Sequence, residues 1–138
     1  MGHTERLAMA PASAPVRRVC VVDDDLVVGR ALRRLLRSAG YEAAAFGSAE
    51  EFLAAGLPAE DQFLVLDVRM PGLDGPGLFR RLRASGSRLP VLFISAIENP
   101  RLCAEMLELG AVGWLTKPVP EDRLLAAIAA WGAAPPPD

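Results

Sequence analysis

Three consecutive carboxylates, Asp23, Asp24 and Asp25, follow the apolar run Val19–Val22, and a fourth, Asp67, follows a second run at Phe63–Leu66. A third run, Val91–Ile94, ends in the hydroxyl of Ser95, and a weaker one, Ala111–Leu115, leads into Thr116, Lys117 and Pro118. These residue types suit phosphoryl transfer to a carboxylate beside a divalent cation. Two carboxylates about 4 Å apart repel by roughly 4 kcal/mol at an effective dielectric of 20, so convergence of Asp23, Asp24 and Asp67 implies a cation. Hard oxygen donors with few dedicated protein ligands favour Mg2+, which keeps several waters and shares its shell with phosphate oxygens; Mn2+ is an acceptable substitute.

An Asp carboxylate attacks phosphorus to give an acyl phosphate, and a metal with a lysine neutralises the charge that develops on the equatorial oxygens. Asp67 is the expected nucleophile because its strand is central. Asp23 and Asp24 share one strand end and suit metal ligation. Lys117 offers a compact charge able to pair with a carboxylate at rest and with a phosphoryl oxygen afterwards. Ser95 has a hydroxyl that can donate to that oxygen, and Ala96 beside it leaves room. Each has a plainer alternative: a helix cap for Ser95, a surface amine for Lys117. For Asp25 the plainer reading, a turn former and cap of the helix that follows, is preferred.

Positioning these groups requires strands that end together. The tetrads Val19–Val22, Phe63–Leu66 and Val91–Ile94 are continuous and rich in β-branched or aromatic residues, as strands covered on both faces are. Tyr41–Phe46 and Ala111–Leu115 are weaker candidates. Between them, Val28, Ala31, Leu32, Leu35 and Leu36 form a helical stripe stopped by Gly40, with Arg30, Arg33, Arg34 and Arg37 on a solvated face. A second helix opens at Ser48 with Glu51 in a capping box, packs through Phe52 and Leu53, and ends before Gly56. A third spans Gly75 to Ala84 with Leu78, Phe79 and Leu82 inward. The fourth takes Asn99 as cap and Pro100 at its first position and stops at Gly110, and the fifth covers Glu121 to about Trp131. Alternation of strands and helices predicts a doubly wound α/β fold, whose ligands bind at the carboxyl ends of the strands.

Bulk composition agrees with one domain. The 138 residues are 51% hydrophobic and 23% charged, which suits a globular chain. Fifteen Lys and Arg against 17 Asp and Glu give a net charge of −2, so direct nucleic-acid or membrane binding is not expected. No apolar run is long enough to span a bilayer and no secretory signal opens the chain, so a cytoplasmic location is expected. The two cysteines, Cys20 and Cys103, are expected as buried reduced thiols rather than a disulfide. Residues 1–15 are expected to be unstructured, with cloning residues a reading for Gly2 and His3; residues 16–131 form the domain, and 132–138 a tail or linker stub.

The motifs Val21-Val22-Asp23-Asp24-Asp25, Leu64-Val65-Leu66-Asp67-Val68-Arg69-Met70-Pro71-Gly72 with Asp74-Gly75, Phe93-Ile94-Ser95-Ala96 and Gly110-Ala111-Val112-Gly113-Trp114-Leu115-Thr116-Lys117-Pro118 resemble those of response regulator receiver domains of two-component systems. The resemblance covers residues 16 to about 131. It implies a flavodoxin-like (βα)5 fold with strand order 2-1-3-4-5. It further implies that Asp67 takes a phosphoryl group from a histidine kinase or phosphotransfer protein. Asp24 would ligate Mg2+ directly, Asp23 mainly through water, and the Arg69 backbone carbonyl would complete the protein ligands. Ser95 would move toward the phosphoryl group, Lys117 would bridge to it, and Trp114 would occupy the position of the switch aromatic, usually Tyr or Phe. The fourth helix, fifth strand and fifth helix would then present a remodelled face to an output domain or partner, with a phosphorylation-dependent homodimer among the outcomes. Such a domain is not an enzyme, apart from self-catalysed phosphoryl transfer to its own aspartate and hydrolysis from it.

Asp67-Val68-Arg69-Met70-Pro71 looks most like receivers of the FixJ type, which usually precede a DNA-binding helix-turn-helix domain. The Pro-rich end fits both a stand-alone receiver and one excised from a longer regulator, and excision is the expectation. A haloacid dehalogenase-type phosphohydrolase would place its nucleophile on the first strand in a D-x-D-x-T pattern, whereas Asp23-x-Asp25 is followed by Val27. A flavin-binding module would set anions against a negatively charged strand edge.

Overall fold

The computed structural model describes residues 16–56 and 61–133. Five strands, β1 (Arg18–Val22), β2 (Glu42–Phe46), β3 (Gln62–Asp67), β4 (Val91–Ser95) and β5 (Gly113–Thr116), form one sheet in the order β2-β1-β3-β4-β5. Every neighbouring pair is parallel. The helices are α1 (Leu26–Ser38), α2 (Ala49–Ala54), α3 (Gly75–Ala84), α4 (Pro100–Glu108) and α5 (Glu121–Ala133). The predicted fold class and strand order therefore hold.

Alternation along the central strands divides the core in two. Cys20, Val22, Leu64, Leu66, Val91 and Phe93 face one side, where Phe52 of α2, Leu78, Phe79 and Leu82 of α3 and Met106 of α4 cover them. Val19, Val21, Phe63, Val65, Leu92 and Ile94 face the other, under Leu32 and Leu36 of α1 and Leu124 and Ile128 of α5. Each large apolar side chain so buried contributes roughly 2 kcal/mol before entropy is counted. Phe79 meets Phe93 edge-on, with centroids 5.5 Å apart, an arrangement that the ring quadrupoles favour.

Four helix starts are held by side chains. Asp25 accepts from the amides of Val27 and Val28, Ser48 from Glu51, Asp74 from Gly77 and Asn99 from Leu102. These contacts satisfy amides that have no partner within the helix. Asp25 is thus the cap expected of it, and the cap ahead of α4 is Asn99 rather than Ser95. The box at Ser48 closes differently from expectation: the Glu51 carboxylate accepts from Gly47 N, at 3.3 Å, one residue before the cap.

Several other sequence expectations shift. β5 starts at Gly113, because the Ala111 amide still donates to Met106 O at the end of α4. α5 extends two residues past Trp131. Ala31 is exposed, leaving Leu32 and Leu36 to fill the groove. Arg30, Arg34 and Arg37 are solvated, but Arg33 is half-buried with its Nε out of water. Both cysteines are free; Cys20 is buried, whereas Cys103 is only half-buried because it lies beside the covered face of α4. Of the segments expected as tails, 1–15 and 134–138 lie outside the described residues, whereas 132–133, expected in the C-terminal tail, continue α5. None of the described helices is long and apolar enough to cross a membrane.

Candidate functional site

The parallel register brings the ends of β1, β3, β4 and β5 to one edge of the sheet. Asp67 pairs with Ile94 and Ser95 with Thr116, and the amide of Lys117 donates to Ser95 O at 2.7 Å. Asp23 continues β1, its amide donating to Phe46 O of β2 at 3.1 Å. Carboxylate oxygens of Asp23, Asp24 and Asp67 consequently lie within 4.8 Å of one another. Asp23 and Asp67 are buried, 1% and 4% exposed, while Asp24 faces solvent.

Lys117 enters this cluster from beyond β5. Its Nζ stands 2.8 Å from Asp23 Oδ2 and 3.4 Å from Asp67 Oδ1. The other Asp23 oxygen, Oδ1, accepts from Asp25 N at 2.9 Å. Oδ2, by contrast, has no aligned donor despite the close ammonium, so this contact is an ion pair without hydrogen-bond geometry.

One ammonium does not offset the negative charge. Burial, and then the Asp23 charge, push the Asp67 carboxyl up to about 7, against the opposing pull of Lys117. Burial works against the Lys117 ammonium too, yet its contacts with Asp23 and then Asp67 hold its pKa above the ordinary lysine value. The two shifts are compatible because Lys117 lies nearer Asp23, which leaves Asp67 the less compensated. Three converging carboxylates, one of them with an acceptor lacking a directed donor, form an all-oxygen set suited to a hard divalent cation.

Ser95, Arg69 and Trp114 complete the set of expected site residues. Ser95 is 1% exposed, and its hydroxyl donates to Ile97 O at 2.7 Å while accepting from Ile97 N at 3.2 Å. Arg69 extends an exposed side chain from the loop after β3. That loop borders a groove of about 340 Å³ with Val68, Met70, Pro76, Ser95 and Ile97 among its walls. Trp114 is half-buried, 5.8 Å from the ring of Phe93 on the neighbouring strand and tilted by 38°.

Gly75 is a requirement that helix signals alone do not reveal. A Cβ there would fall 2.2 Å from the carbonyl oxygen of Asp67 and 3.1 Å from Val68 Cα. Its amide donates to Val68 O at 3.0 Å, drawing the start of α3 against the end of β3. The Asp-Gly pair at 74–75 carried this information, since only glycine permits such backbone approach.

The response regulator receiver domain family matches residues 19–129. Nodulation protein W of Bradyrhizobium diazoefficiens is 38% identical over 129 residues, spanning 94% of this chain and 54% of that protein. The transcriptional regulatory protein FixJ of the same organism is 41% identical over 110 residues, 80% of this chain and 54% of FixJ. The chain therefore spans about half the length of the curated relatives it matches. Among solved structures, the response regulator StyR superimposes with a TM-score of 0.76 at 42% identity, covering 82% of this chain and 57% of StyR. Its strand order, the match over nearly the whole sheet and the acidic cluster at the strand ends together show that the chain belongs to the response regulator receiver domain family.

Proposed function

We propose that this domain accepts a phosphoryl group on Asp67 from the phosphohistidine of a sensor kinase or phosphotransfer protein. The reading rests chiefly on one observation: Asp67 is a buried carboxylate at the end of the central strand, 3.4 Å from Lys117 and clustered with Asp23 and Asp24. An Asp67 oxygen attacks phosphorus; the new O–P bond forms as the N–P bond of the donor breaks, and that electron pair returns to the imidazole. Asp24, Asp23, Asp67 and the Arg69 backbone carbonyl would hold Mg2+, or Mn2+ in its place. Bound there, the cation supplies positive charge to the carboxylates and to the phosphoryl oxygens.

Lys117 moves from its pairing with the carboxylates to a phosphoryl oxygen. Ser95 exchanges its Ile97 contacts for another phosphoryl oxygen, and Trp114 follows inward. Rearrangement of α4, β5 and α5 then alters how the domain meets an output domain, a partner or a second copy of itself. The domain extends from residue 16 through the end of α5 and acts in the cytoplasm, catalysing only the transfer to, and hydrolysis from, its own aspartate. Transcriptional output is consistent with the name of the relative FixJ.

Intact-mass spectrometry after incubation with Mg2+ and a small phosphodonor tests the proposal. One added phosphoryl group is expected in the wild-type chain and none in Asp67→Asn. An undiminished adduct in that variant would assign the nucleophile elsewhere.

A further inference from the structure

We infer that Glu50, at the start of α2, is a positioning residue that clamps the loop between β3 and α3 and thereby sets the metal affinity of the acidic cluster. This inference rests on the proposed Mg2+ site. Glu50 Oε2 accepts a hydrogen bond from Leu73 N at 3.0 Å, joining segments 23 residues apart. The fit is close: a Cβ on Gly72, whose φ is +75°, would lie 2.8 Å from the same carboxylate oxygen. Gly72 thus supplies both a turn that L side chains rarely adopt and the space through which Glu50 reaches the backbone.

The clamped loop is the segment that carries Arg69. At its base, Gly75 N donates to Val68 O at 3.0 Å, and in its middle Met70 is buried, 8% exposed. Those contacts fix one end and the inward side. Leu73, on the far side, is held by Glu50 alone among the side-chain hydrogen bonds of the described residues to this loop's amides between Arg69 and Asp74. Asp74 directs its own carboxylate forward into α3, to Gly77 N at 2.9 Å, and does not brace the loop from within. A backbone carbonyl is useful as a metal ligand only if its peptide plane is held, because it has no side-chain torsion with which to adjust. Glu50 provides that restraint from a separate helix. The contact also holds the Glu50 carboxyl below its ordinary range, chiefly through the Leu73 amide, so the acceptor is ionised under neutral conditions.

The restraint requires an acceptor atom and not a charge, which separates it from a general electrostatic effect. Glu50→Gln keeps an oxygen that can accept from Leu73; Glu50→Ala does not. The test titrates Mg2+ by calorimetry into the wild-type chain and both variants, and follows Leu73 amide exchange by NMR in metal-free protein. Glu50→Ala should accelerate Leu73 exchange and weaken Mg2+ binding roughly tenfold, and Glu50→Gln should restore both most of the way. Unchanged Mg2+ affinity in Glu50→Ala overturns the inference. So does a Gln variant as weak as the Ala variant, which would assign the effect to charge. Failure of the wild-type chain itself to bind Mg2+ would instead overturn the metal site on which the inference depends, and is distinguished by the wild-type titration alone.

Discussion

The hydroxyl of Ser95 is closed onto the backbone of Ile97, donating to its carbonyl at 2.7 Å and accepting from its amide at 3.2 Å. A phosphoryl oxygen on Asp67, being an acceptor, would compete with the Ile97 carbonyl for the one hydroxyl proton. Ser95→Ala removes the competition and leaves an amide without its partner, so it should lower stability by about 1 kcal/mol in urea unfolding. Phosphorylation should still occur in this variant, as read by intact mass, but without displacement of the Ile97 amide resonance. A wild-type displacement retained in Ser95→Ala would remove the hydroxyl from the switch.

The Asp67 carboxyl makes stability pH-dependent in a stated direction. Its folded pKa, about 7, lies above the ordinary value of 3.8, so between the two the folded chain retains a proton that the unfolded chain has lost. Metal-free stability should therefore fall as pH rises across that interval, by on the order of a few kcal/mol, and level off above it. Urea unfolding at pH 5 and pH 8 without divalent cations tests this. Asp67→Asn should flatten the dependence and be the more stable protein at pH 8; addition of Mg2+ should raise wild-type stability most at the higher pH.

Lys117 holds two buried carboxylates at once. If the Lys117 ammonium meets the charge that develops on the phosphoryl oxygens, as proposed, Lys117→Met should retain Mg2+ binding but slow phosphorylation by a small donor by roughly a hundredfold. Quench-flow or time-resolved mass measurements provide the rate. A rate within a few-fold of wild type would leave Lys117 a purely structural counter-charge.

Gly75→Ala places a methyl group where the Asp67 carbonyl oxygen already lies, with a backbone separation that no rotamer relieves. Stability should drop by about 3 kcal/mol, and Mg2+ affinity should fall with it because the end of β3 must shift. Equilibrium unfolding with parallel calorimetry would reveal either effect. An Ala variant as stable as the parent would mean that α3 can move away without consequence.

Trp114 touches Phe93, which in turn packs on Phe79, so inward rotation of the indole must disturb an aromatic column. In a Trp131→Phe background, a phosphoryl mimic with Mg2+ should change the Trp114 fluorescence. A flat response would make the indole a packing element only.

The central strands were legible because Val19–Val22, Phe63–Leu66 and Val91–Ile94 are buried on both faces and therefore apolar throughout. The edge strands were fainter for the converse reason. β2 is Glu-Ala-Ala-Ala-Phe with only Ala43 buried, and β5 has no fully buried residue, so neither offers a strong pattern. The meeting of Asp23, Asp67 and Lys117 was also readable, since strand ends in a doubly wound sheet share one edge. The caps Asp25, Ser48 and Asn99 were readable as well. The closure of the Ser95 hydroxyl onto Ile97 was not, because a serine at a strand end carries no local sign of which backbone groups it will meet. Glu50 lies in the first turn of α2, where an acid favours the helix dipole, but its partner 23 residues away is not visible in local sequence.

Asp23, Asp67 and Lys117 belong to segments that meet only when β1, β3, β4 and β5 are aligned in parallel. Parallel neighbours need a crossover between them, so no hairpin, and no fragment lacking one of these strands, holds the three as the whole sheet does. A half-made or misfolded copy thus has carboxylates but no assembled acceptor. If Asp67 is the acceptor proposed above, newly synthesised chains would draw no phosphate from the signalling pool until the last strand has docked, and the capacity to receive a signal would be a certificate of completed folding.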